Sequence, residues 1–294
     1  MRKMTLPVND YVLTLSCADT KGIVYSVSGL LYQAGCNILD SQQFGDPATG
    51  LFFMRVHFGA PPHLDGPDKL ELLFGDLRRR FAMRAAIHAV ARRARVLIAV
   101  SRQAHCLNDL LFRWSAGQLP MDVVGVVSNH LDCAGLADHY GVPFHHAALP
   151  PRPDVETKRA QELHIEALMR EQRVDLLVLA RYMQILSPDF CAALNGCVIN
   201  IHHSFLPSFK GARPYAQAHE RGVKLIGATA HYVTAELDEG PIIEQDVVRV
   251  DHSQSVEALT AAGQDVENQV LARAVRWHVE RRILLNGHKT VVFQ

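Results

Sequence analysis

A strand-like run in the second half of the chain ends in side chains that could do carbonyl chemistry. Val198 to Ile201 is apolar enough for a central strand, yet Asn200 interrupts it and His202 ends it. Because alternate side chains of a strand share a face, Asn200 and His202 should project together at its carboxyl end. The pair could also be a hydrogen-bonded core amide and a strand cap. The polar density favours a site, because Asn, two His and Ser stand within five positions.

Attack on a carbonyl carbon turns its oxygen into an alkoxide, and fixed hydrogen-bond donors must point at that oxygen. Removal of one such donor typically costs ~3 kcal/mol in kcat. Asn200 can donate without changing charge, and His202 can donate and, if protonated, neutralise the alkoxide. Asp238 could orient His202, bind an attacking water or shuttle its proton. Taken alone, Asp238 would be an ordinary turn carboxylate beside Gly240.

The elements that must position these residues begin with a unit of the order β-α-β-β-α-β, which is a ferredoxin-like α+β fold. Its predicted strands and helices are Tyr11–Cys17, Gly22–Ala34, Asn37–Phe44, Leu51–Phe58, Pro67–Phe81 and Ala85–Val90. The basic segment 91–95 that follows is too short and too poor in aromatics for a nucleic-acid patch. We therefore predict a first domain at residues 8–90 and a linker at residues 91–95.

From Arg95 onward, apolar runs alternate with helical stretches, which is typical of a parallel sheet with helices on both faces. The predicted strands and helices are Val96–Ser101, Leu107–Ser115, Val123–Ser128, Cys133–Tyr140, Val155–Gln172, Leu176–Leu179, Pro188–Leu194 and Val198–His202. After Gly227 the pattern predicts two antiparallel strands, a long helix and a hairpin turning at Asn286-Gly287. The predicted fold class is α/β, with a Rossmann-like, mostly parallel sheet over residues 96–294.

Length and composition exclude several classes of protein. The 294 residues include 30 Lys+Arg and 30 Asp+Glu, so no net charge steers the chain toward nucleic acid or an anionic membrane. No apolar run approaches the ~20 residues that cross a bilayer, and the polar start does not match a signal peptide. The six scattered cysteines are expected to be reduced thiols. We therefore expect a cytoplasmic protein that binds neither nucleic acid nor membrane.

Three ordered motifs resemble the folate-dependent formyltransferase family. Val198–Gly211 is similar to the active-site strand of that family, and Leu179–Ser187 is similar to its pterin-binding loop. Gly227–Ile243 resembles the hairpin that carries its catalytic aspartate. The match extends from about Arg95 to the C-terminus. Three motifs in order are far more specific than one alone.

The resemblance implies that 10-formyltetrahydrofolate is the substrate and that no prosthetic group takes part. The implied catalytic residues are Asn200, His202 and Asp238. A loop that mixes apolar surface with backbone donors suits a flat heteroaromatic ring. The residues assigned to folate binding are Arg181, Tyr182, Met183, Gln184, Ile185, Leu186 and Gly211. Alternatively, the apolar members of this loop only pack the core.

The acceptor of the formyl group decides between hydrolysis and transfer. In the member of this family that transfers the formyl group to glycinamide ribonucleotide, a glycine-rich loop after the first strand of the sheet holds the acceptor's phosphate, but here Val100–Leu107 contains no glycine. The same absence disfavours a dinucleotide site. Water is therefore the predicted acceptor, and the resemblance implies that the formate released would supply purine synthesis and balance one-carbon pools. The residues assigned to the acceptor pocket are His105, Cys106, His203 and His231; the first two could equally be ordinary helix-start residues.

No metal ion is expected, although histidines are frequent near the predicted site. The sequence contains no His-Glu-x-x-His or Cys-x-x-Cys spacing. Donor placement and proton shuttling are sufficient to hydrolyse a formamide-like bond, so the mechanism requires no metal.

The β-α-β-β-α-β unit resembles an ACT domain, a module that binds small regulatory ligands. Backbone N–H groups at the start of its first helix could hold a carboxylate, and Asp19 could hold an amine. We therefore predict an amino-acid effector at Asp19, Gly22 and Ile23, at an interface between two such domains. Alternatively, Asp19 only caps the helix. The resemblance also implies a homo-oligomer, either a dimer or a tetramer.

Two other functions remain open on the sequence alone. A folate-dependent formyltransferase with an amine acceptor would turn over only when that acceptor is added. A non-catalytic amino-acid sensor would bind its effector without any formyl chemistry, and the intact set of Asn200, His202 and Asp238 counts against it.

Overall fold

The computed structural model describes residues 9–194, 196–206 and 214–294. Contacts group the described residues into two compact units. The first contains the residues up to Arg93 together with Glu280–Gln294, and the second is Ala94–Val279. Within the described ranges, no helix combines the length and the apolar character needed to cross a membrane.

The first unit contains an antiparallel four-stranded sheet and two helices in the predicted order β-α-β-β-α-β. Its elements are β1 (Asp10–Ala18), α1 (Ile23–Gln33), β2 (Asn37–Asp46), β3 (Leu51–Gly59), α2 (Pro67–Arg80) and β4 (Arg84–Ala89). The strand order is β2-β3-β1-β4. Leu13 and Leu15 of β1 share one apolar cluster with Val27 of α1 and Phe74 of α2. Alternate residues of the sheet and one face of each helix therefore form the core.

The second unit is built on a seven-stranded sheet of order β11-β10-β9-β8-β5-β6-β7. Its strands are β5 (Ala94–Val100), β6 (Met121–Ser128), β7 (Phe144–His146), β8 (Leu176–Leu179), β9 (Val198–His202), β10 (Leu225–Tyr232) and β11 (Ile242–Arg249). Its helices are α3 (His105–Ser115), α4 (Ala134–His139), α5 (Val155–Glu171), α6 (Pro188–Ala193), α7 (Pro214–Glu220) and α8 (Val256–Val279). The five strands from β9 to β7 are parallel, and β10 and β11 are antiparallel. The predicted α/β class is confirmed.

The central strands of this sheet are buried along their length, which is why they are continuous apolar runs. All four residues of β8 are buried. Leu97 of β5 and Leu177 of β8 share a cluster with Ile165 of α5 and Phe190 of α6. Side chains at the carboxyl ends of these strands are therefore positioned by a rigid core.

The boundary between the two units differs from the prediction that residues 91–95 form a linker. Ala94 and Arg95 already belong to β5, where they pair with Met121 and Asp122 of β6. The backbone N–H of Arg95 also donates to the carboxylate of Asp175 over 2.9 Å. The arginine-rich composition of this segment concealed its pairing with β6.

The C-terminal hairpin also differs from the prediction, which assigned residues 96–294 to one domain. The strands β12 (Ile283–Asn286) and β13 (Lys289–Val292) pair with each other and group with the first unit. The amide of Asn286 donates to Asp46 over 2.7 Å. The amide of Gln42 donates to the carbonyl oxygen of Gln294 over 2.7 Å. Such long-range polar contacts leave no signal in a local sequence pattern.

Candidate active site

The sheet of the second unit sets two pairs of polar residues side by side. β9 carries Asn200 and His202, and it is antiparallel to β10. The register of these strands places His231 opposite Asn200 and Thr229 opposite His202. Directly opposed residues project on the same face of a sheet. The strand pairing alone therefore brings His231 beside Asn200.

His231 holds the amide of Asn200 in one orientation. Nδ1 of His231 lies 2.9 Å from the carbonyl oxygen of Tyr232, which can only accept, so Nδ1 carries the proton. Burial lowers the pKa of His231, so its ring is neutral and Nε2 is an acceptor. The amide nitrogen of Asn200 donates to Nε2 over 3.2 Å. Because that nitrogen carries two hydrogens, the second is left for another acceptor.

Asp238 binds one ring nitrogen of His202 and leaves the other available. Nδ1 of His202 lies 3.2 Å from a carboxylate oxygen of Asp238. The hydrogen bond from His202 lowers the pKa of Asp238, so the acid is ionised and Nδ1 carries the shared proton. Nε2 of His202 is buried and has no hydrogen-bond partner in the described part of the chain. A buried polar atom of this kind is suited to meet a ligand.

Asp238 reaches this position from a tight segment between β10 and β11. Its φ of 59° is in the left-handed region, which Asp tolerates better than most residues. At Gly240, two residues later, a Cβ atom would overlap the carbonyl oxygen of Tyr232. The backbone at position 240 therefore has room only for glycine, and the close approach helps to fix Asp238 beside His202.

We expect Gly240→Ala to destabilise the chain by about 1–3 kcal/mol, because the added methyl group forces a backbone shift in a closely packed turn. Urea unfolding followed by circular dichroism would measure the change. Gly135→Ala in α4 is the matched control, since a Cβ there meets nothing within 4 Å. Equal unfolding free energies for the two variants would contradict this account of the turn.

One cavity of about 390 Å³ brings the predicted catalytic residues together. Asn200, His202 and Asp238 all line it. The other lining residues come from the end of β8 and the loop after it, from α6, from β9 and the residue after it, and from the end of β10 and the segment after it: Leu179, Arg181, Tyr182, Met183, Gln184, Ile185, Leu186, Cys191, Ile201, His203, His231, Val233, Thr234, Ala235, Glu236 and Leu237. The cavity lining therefore combines the polar catalytic side chains with many apolar ones, which form its apolar side.

The loop between β8 and α6 forms much of that apolar side. Tyr182 is buried, whereas Met183 and Ile185 are both 59% exposed. Gln184 and Leu186 complete this part of the lining. Met183 and Ile185 therefore do not pack the core, and they present apolar surface to the cavity. Tyr182 and Leu186 contact the core cluster as well as the cavity.

Two consecutive polar residues of α5 fix this loop at both ends. Gln161 accepts a hydrogen bond from the hydroxyl of Tyr182 over 3.1 Å. Glu162 accepts from the backbone N–H of Ser187 over 2.6 Å and also from its hydroxyl. Both α5 residues are buried. The loop conformation therefore depends on α5, a relation that sequence analysis did not reveal.

Arg181, which the sequence assigns to folate binding, also contacts other side chains of the protein. It lines the cavity, but its side chain is only 7% exposed. Its Nε donates to Gln103 over 2.8 Å and lies 3.5 Å from a carboxylate oxygen of Glu267. The guanidinium is thus held by partners in the protein. Gly211, which the sequence also assigns to folate binding, lies outside the described residues.

Glu267 of α8 is a buried carboxylate that sequence analysis missed. A ring nitrogen of His105 lies 2.8 Å from it, and the hydroxyl of Tyr215 donates to its other oxygen. Burial raises the pKa of Glu267, but the bond from His105 and the charge of Arg181 outweigh this and lower it. The sequence did carry a signal for a buried acid: Glu267 lies four residues after Gly263, so the two share a helix face, and this is the apolar face of α8.

The predicted acceptor-pocket residues divide into two groups. His203 and His231 line the cavity. Burial, with the charge of Arg181, lowers the pKa of His203 to about 4. His105 and Cys106 instead belong to the cluster around Glu267. Burial and the charge of Glu267 raise the pKa of the Cys106 thiol well above its usual value, so that thiol is neutral.

The predicted effector residues lie at the start of α1. Gly22 is the N-cap of this helix, has a φ of 93° and makes no side-chain cap hydrogen bond. Asp19 is exposed and is not the N-cap residue of this helix. Ile23 is buried in the core of the first unit.

The unit that carries the cavity matches a known family. Residues 94–275 match the model of the family described as Formyl transferase. This match spans β5 through most of α8 and includes Asn200, His202 and Asp238. The chain belongs to the formyl transferase family.

Relatives that match over nearly the whole chain have a more particular name. Formyltetrahydrofolate deformylase of Corynebacterium sp. (strain P-1) is 47% identical, over 97% of this chain and 98% of that protein. The crystal structure of formyltetrahydrofolate deformylase from Burkholderia mallei ATCC 23344 is 52% identical, with a TM-score of 0.91 over 97% of this chain and 100% of that one.

A transformylase resembles only part of the chain. The crystal structure of glycinamide ribonucleotide transformylase 1 from Symbiobacterium toebii is 31% identical, with a TM-score of 0.63 over 69% of this chain and 95% of that one. Similarity to the deformylases thus extends over both units, whereas similarity to this transformylase covers about two thirds of the chain.

Proposed function

We propose that this chain hydrolyses 10-formyltetrahydrofolate to formate and tetrahydrofolate. The observation that carries the proposal is the convergence of Asn200, His202 and Asp238 on one cavity with an apolar side. Full-length relatives named formyltetrahydrofolate deformylase support the substrate and the use of water. The catalytic groups are side chains, and no prosthetic group is needed.

Asn200 is the fixed donor for the formyl oxygen. As water attacks the formyl carbon, that oxygen becomes an alkoxide. One hydrogen of the Asn200 amide binds His231, and the other is directed to the alkoxide. Because His231 fixes the amide beforehand, little reorganisation is needed in the transition state. A preorganised donor of this kind is worth ~3 kcal/mol.

His202 carries the proton from water to the leaving nitrogen. Asp238 keeps a proton on Nδ1 of His202, which leaves Nε2 to accept a proton from the attacking water. The resulting imidazolium is stabilised by Asp238 and donates that proton to N10. The carbon–oxygen bond forms, the bond between carbon and N10 breaks, and the formic acid produced loses its remaining proton to solvent. The geometry favours an orienting role for Asp238 among those the sequence left open.

The loop from Tyr182 to Leu186 binds the pterin ring. The exposed side chains of Met183 and Ile185 give it apolar contact area beside the catalytic residues. Backbone groups of the same loop supply hydrogen bonds to the polar edge of the ring. The predicted contribution of Gly211 to this binding remains a prediction.

Incubation of the purified chain with 10-formyltetrahydrofolate alone tests the function. We expect formate and tetrahydrofolate in equal amounts without any added amine. Turnover that begins only when an amine is added would support the transferase instead. Binding of amino acids with no formyl chemistry under either condition would support the sensor.

We expect Glu162→Gln to raise the KM for 10-formyltetrahydrofolate about tenfold with kcat changed less than about threefold, since a remote loop contact acts mainly on binding. An amide has one oxygen in place of two, so it can accept from only one of the two donors of Ser187. Steady-state kinetics would measure both constants, with Glu166→Gln on the same helix as the control. A fall in kcat at constant KM would show that Glu162 acts on the chemical step.

The first unit is proposed as an ACT-like regulatory domain. Asp19 and the N–H groups after Gly22 would hold an amino-acid effector, at an interface between two copies in a cytoplasmic dimer or tetramer. The exposure of Asp19 and the uncapped start of α1 support this. Calorimetry with a panel of amino acids tests it, and absence of heat together with unchanged rates would remove the regulatory role.

A further inference from the structure

The strand order of the second unit defines a crevice at the carboxyl edge of its sheet. The chain passes from β5 to β6 and β7 on one side, and then crosses to β8 and β9 on the other. Open α/β sheets commonly bind ligands at such a reversal. Here it lies between β5 and β8, where the N–H of Ser101 donates to the carbonyl oxygen of Arg181 over 3.2 Å.

Side chains that follow the two strands at this reversal meet on one carboxylate. His105 follows β5 and Arg181 follows β8, and both contact Glu267 of α8. Tyr215 of α7 donates to the same carboxylate. Arg181, Tyr215 and Glu267 are 7%, 8% and 1% exposed. A buried hydrogen-bond network therefore lies at the reversal, where open sheets of this kind commonly bind a ligand.

The charges of the network are balanced within the protein. The donor atoms of His105, Cys106 and Glu267 lie within 4.8 Å of one another, a spacing that a metal ion can use. However, the positive charge of Arg181 already lies 3.5 Å from Glu267. The Cys106 thiol is neutral, and a neutral thiol is a poor metal ligand. These properties are typical of a structural side-chain network and not of a metal centre.

We propose that Glu267, by holding His105, Arg181 and Tyr215 together, closes the crevice to amines and thereby makes water the acceptor of the formyl group. This inference rests on the proposed function and deepens it. Glu267 is a positioning residue that determines specificity, because it contacts other side chains and not the reacting atoms. An amine that gained entry would use the same chemistry as water: its nitrogen bonds to the formyl carbon, the bond to N10 breaks, and its proton passes to N10.

The test measures how the formyl group is divided between water and a small primary amine. Wild type, His105→Ala and Glu267→Ala are incubated with 10-formyltetrahydrofolate and glycinamide, and N-formylglycinamide and formate are quantified by mass spectrometry. The ratio of the two products does not depend on the fraction of folded enzyme, because both arise from the same bound donor. Glu267→Gln, which keeps the volume, and the exposed Glu257→Ala on the same helix are the controls.

We expect formate alone from wild type and Glu257→Ala, and a low ratio of N-formylglycinamide to formate from Glu267→Gln. The ratio of amide to formate should rise about tenfold or more in the two alanine variants, as an excluded acceptor gains access. An unchanged ratio in both would overturn the inference. Loss of both products in both would overturn it too, because the cluster would then serve the formyl chemistry itself. Absence of formate from wild type would instead refute the proposed function.

Discussion

Asp238→Asn should lower kcat for hydrolysis of 10-formyltetrahydrofolate by about 10³- to 10⁴-fold, the range seen when the acid that orients a catalytic histidine becomes an amide. The carboxylate accepts a hydrogen bond from the Nδ1–H group of His202 over 3.2 Å. An asparagine can present its NH₂ group to the same nitrogen, which favours the tautomer with the proton on Nε2. That tautomer cannot accept a proton from water. The KM should change little, because Asp238 acts on proton transfer.

Stopped-assay kinetics of formate release would measure the effect, and the neighbouring exposed residue gives the matched control. Glu239→Gln removes a carboxylate one position along the chain without touching His202, and its kcat should stay within about twofold of wild type. A rate for Asp238→Asn within tenfold of wild type would remove Asp238 from the proton path. An equal loss in both variants would point to a general effect of charge near the turn.

The sequence was most informative where one local pattern determines both element and site. The period of two in β9 predicts that Asn200 and His202 share a face, and the structure places both at the cavity. Several polar residues in a buried strand are unusual, and their density around His202 therefore indicated a site. The local pattern did not distinguish Asp238 from an ordinary turn residue, since acids are common in turns. The three ordered motifs supplied the connection that spacing could not.

The features that sequence reasoning missed depend on contacts between distant segments. Glu267 meets His105 across 162 positions of the chain, and Gln161 of α5 meets Tyr182 in the loop between β8 and α6. No period or motif links such pairs. The partial signal was an acid on the apolar face of α8, which is costly unless it is paired. Contacts between distant segments also explain why the C-terminal hairpin was assigned to the wrong domain, since its partners Gln42 and Asp46 lie near the other end of the chain.

Asn200→Ala should lower kcat by about 10²- to 10³-fold, because removal of one oxyanion donor costs about 3–4 kcal/mol. The cavity would be slightly larger, so the KM should rise less than kcat falls. Steady-state formate release gives both constants. An effect confined to KM would show that the amide binds the ground state and not the developing alkoxide.

The hydrogen bond between Asn200 and His231 provides a sharper test of this role. His231→Phe keeps a ring of similar size but removes the acceptor that orients the amide at 3.2 Å. Alone it should lower kcat by about tenfold, as the amide loses its fixed direction, and in the Asn200→Ala background it should have almost no further effect. This non-additivity follows only if His231 acts through Asn200. Losses that simply multiply in the double variant would mean that His231 acts by another route, such as through Asp238, whose carboxylate lies 3.7 Å from Nε2 of His231, and not through the amide.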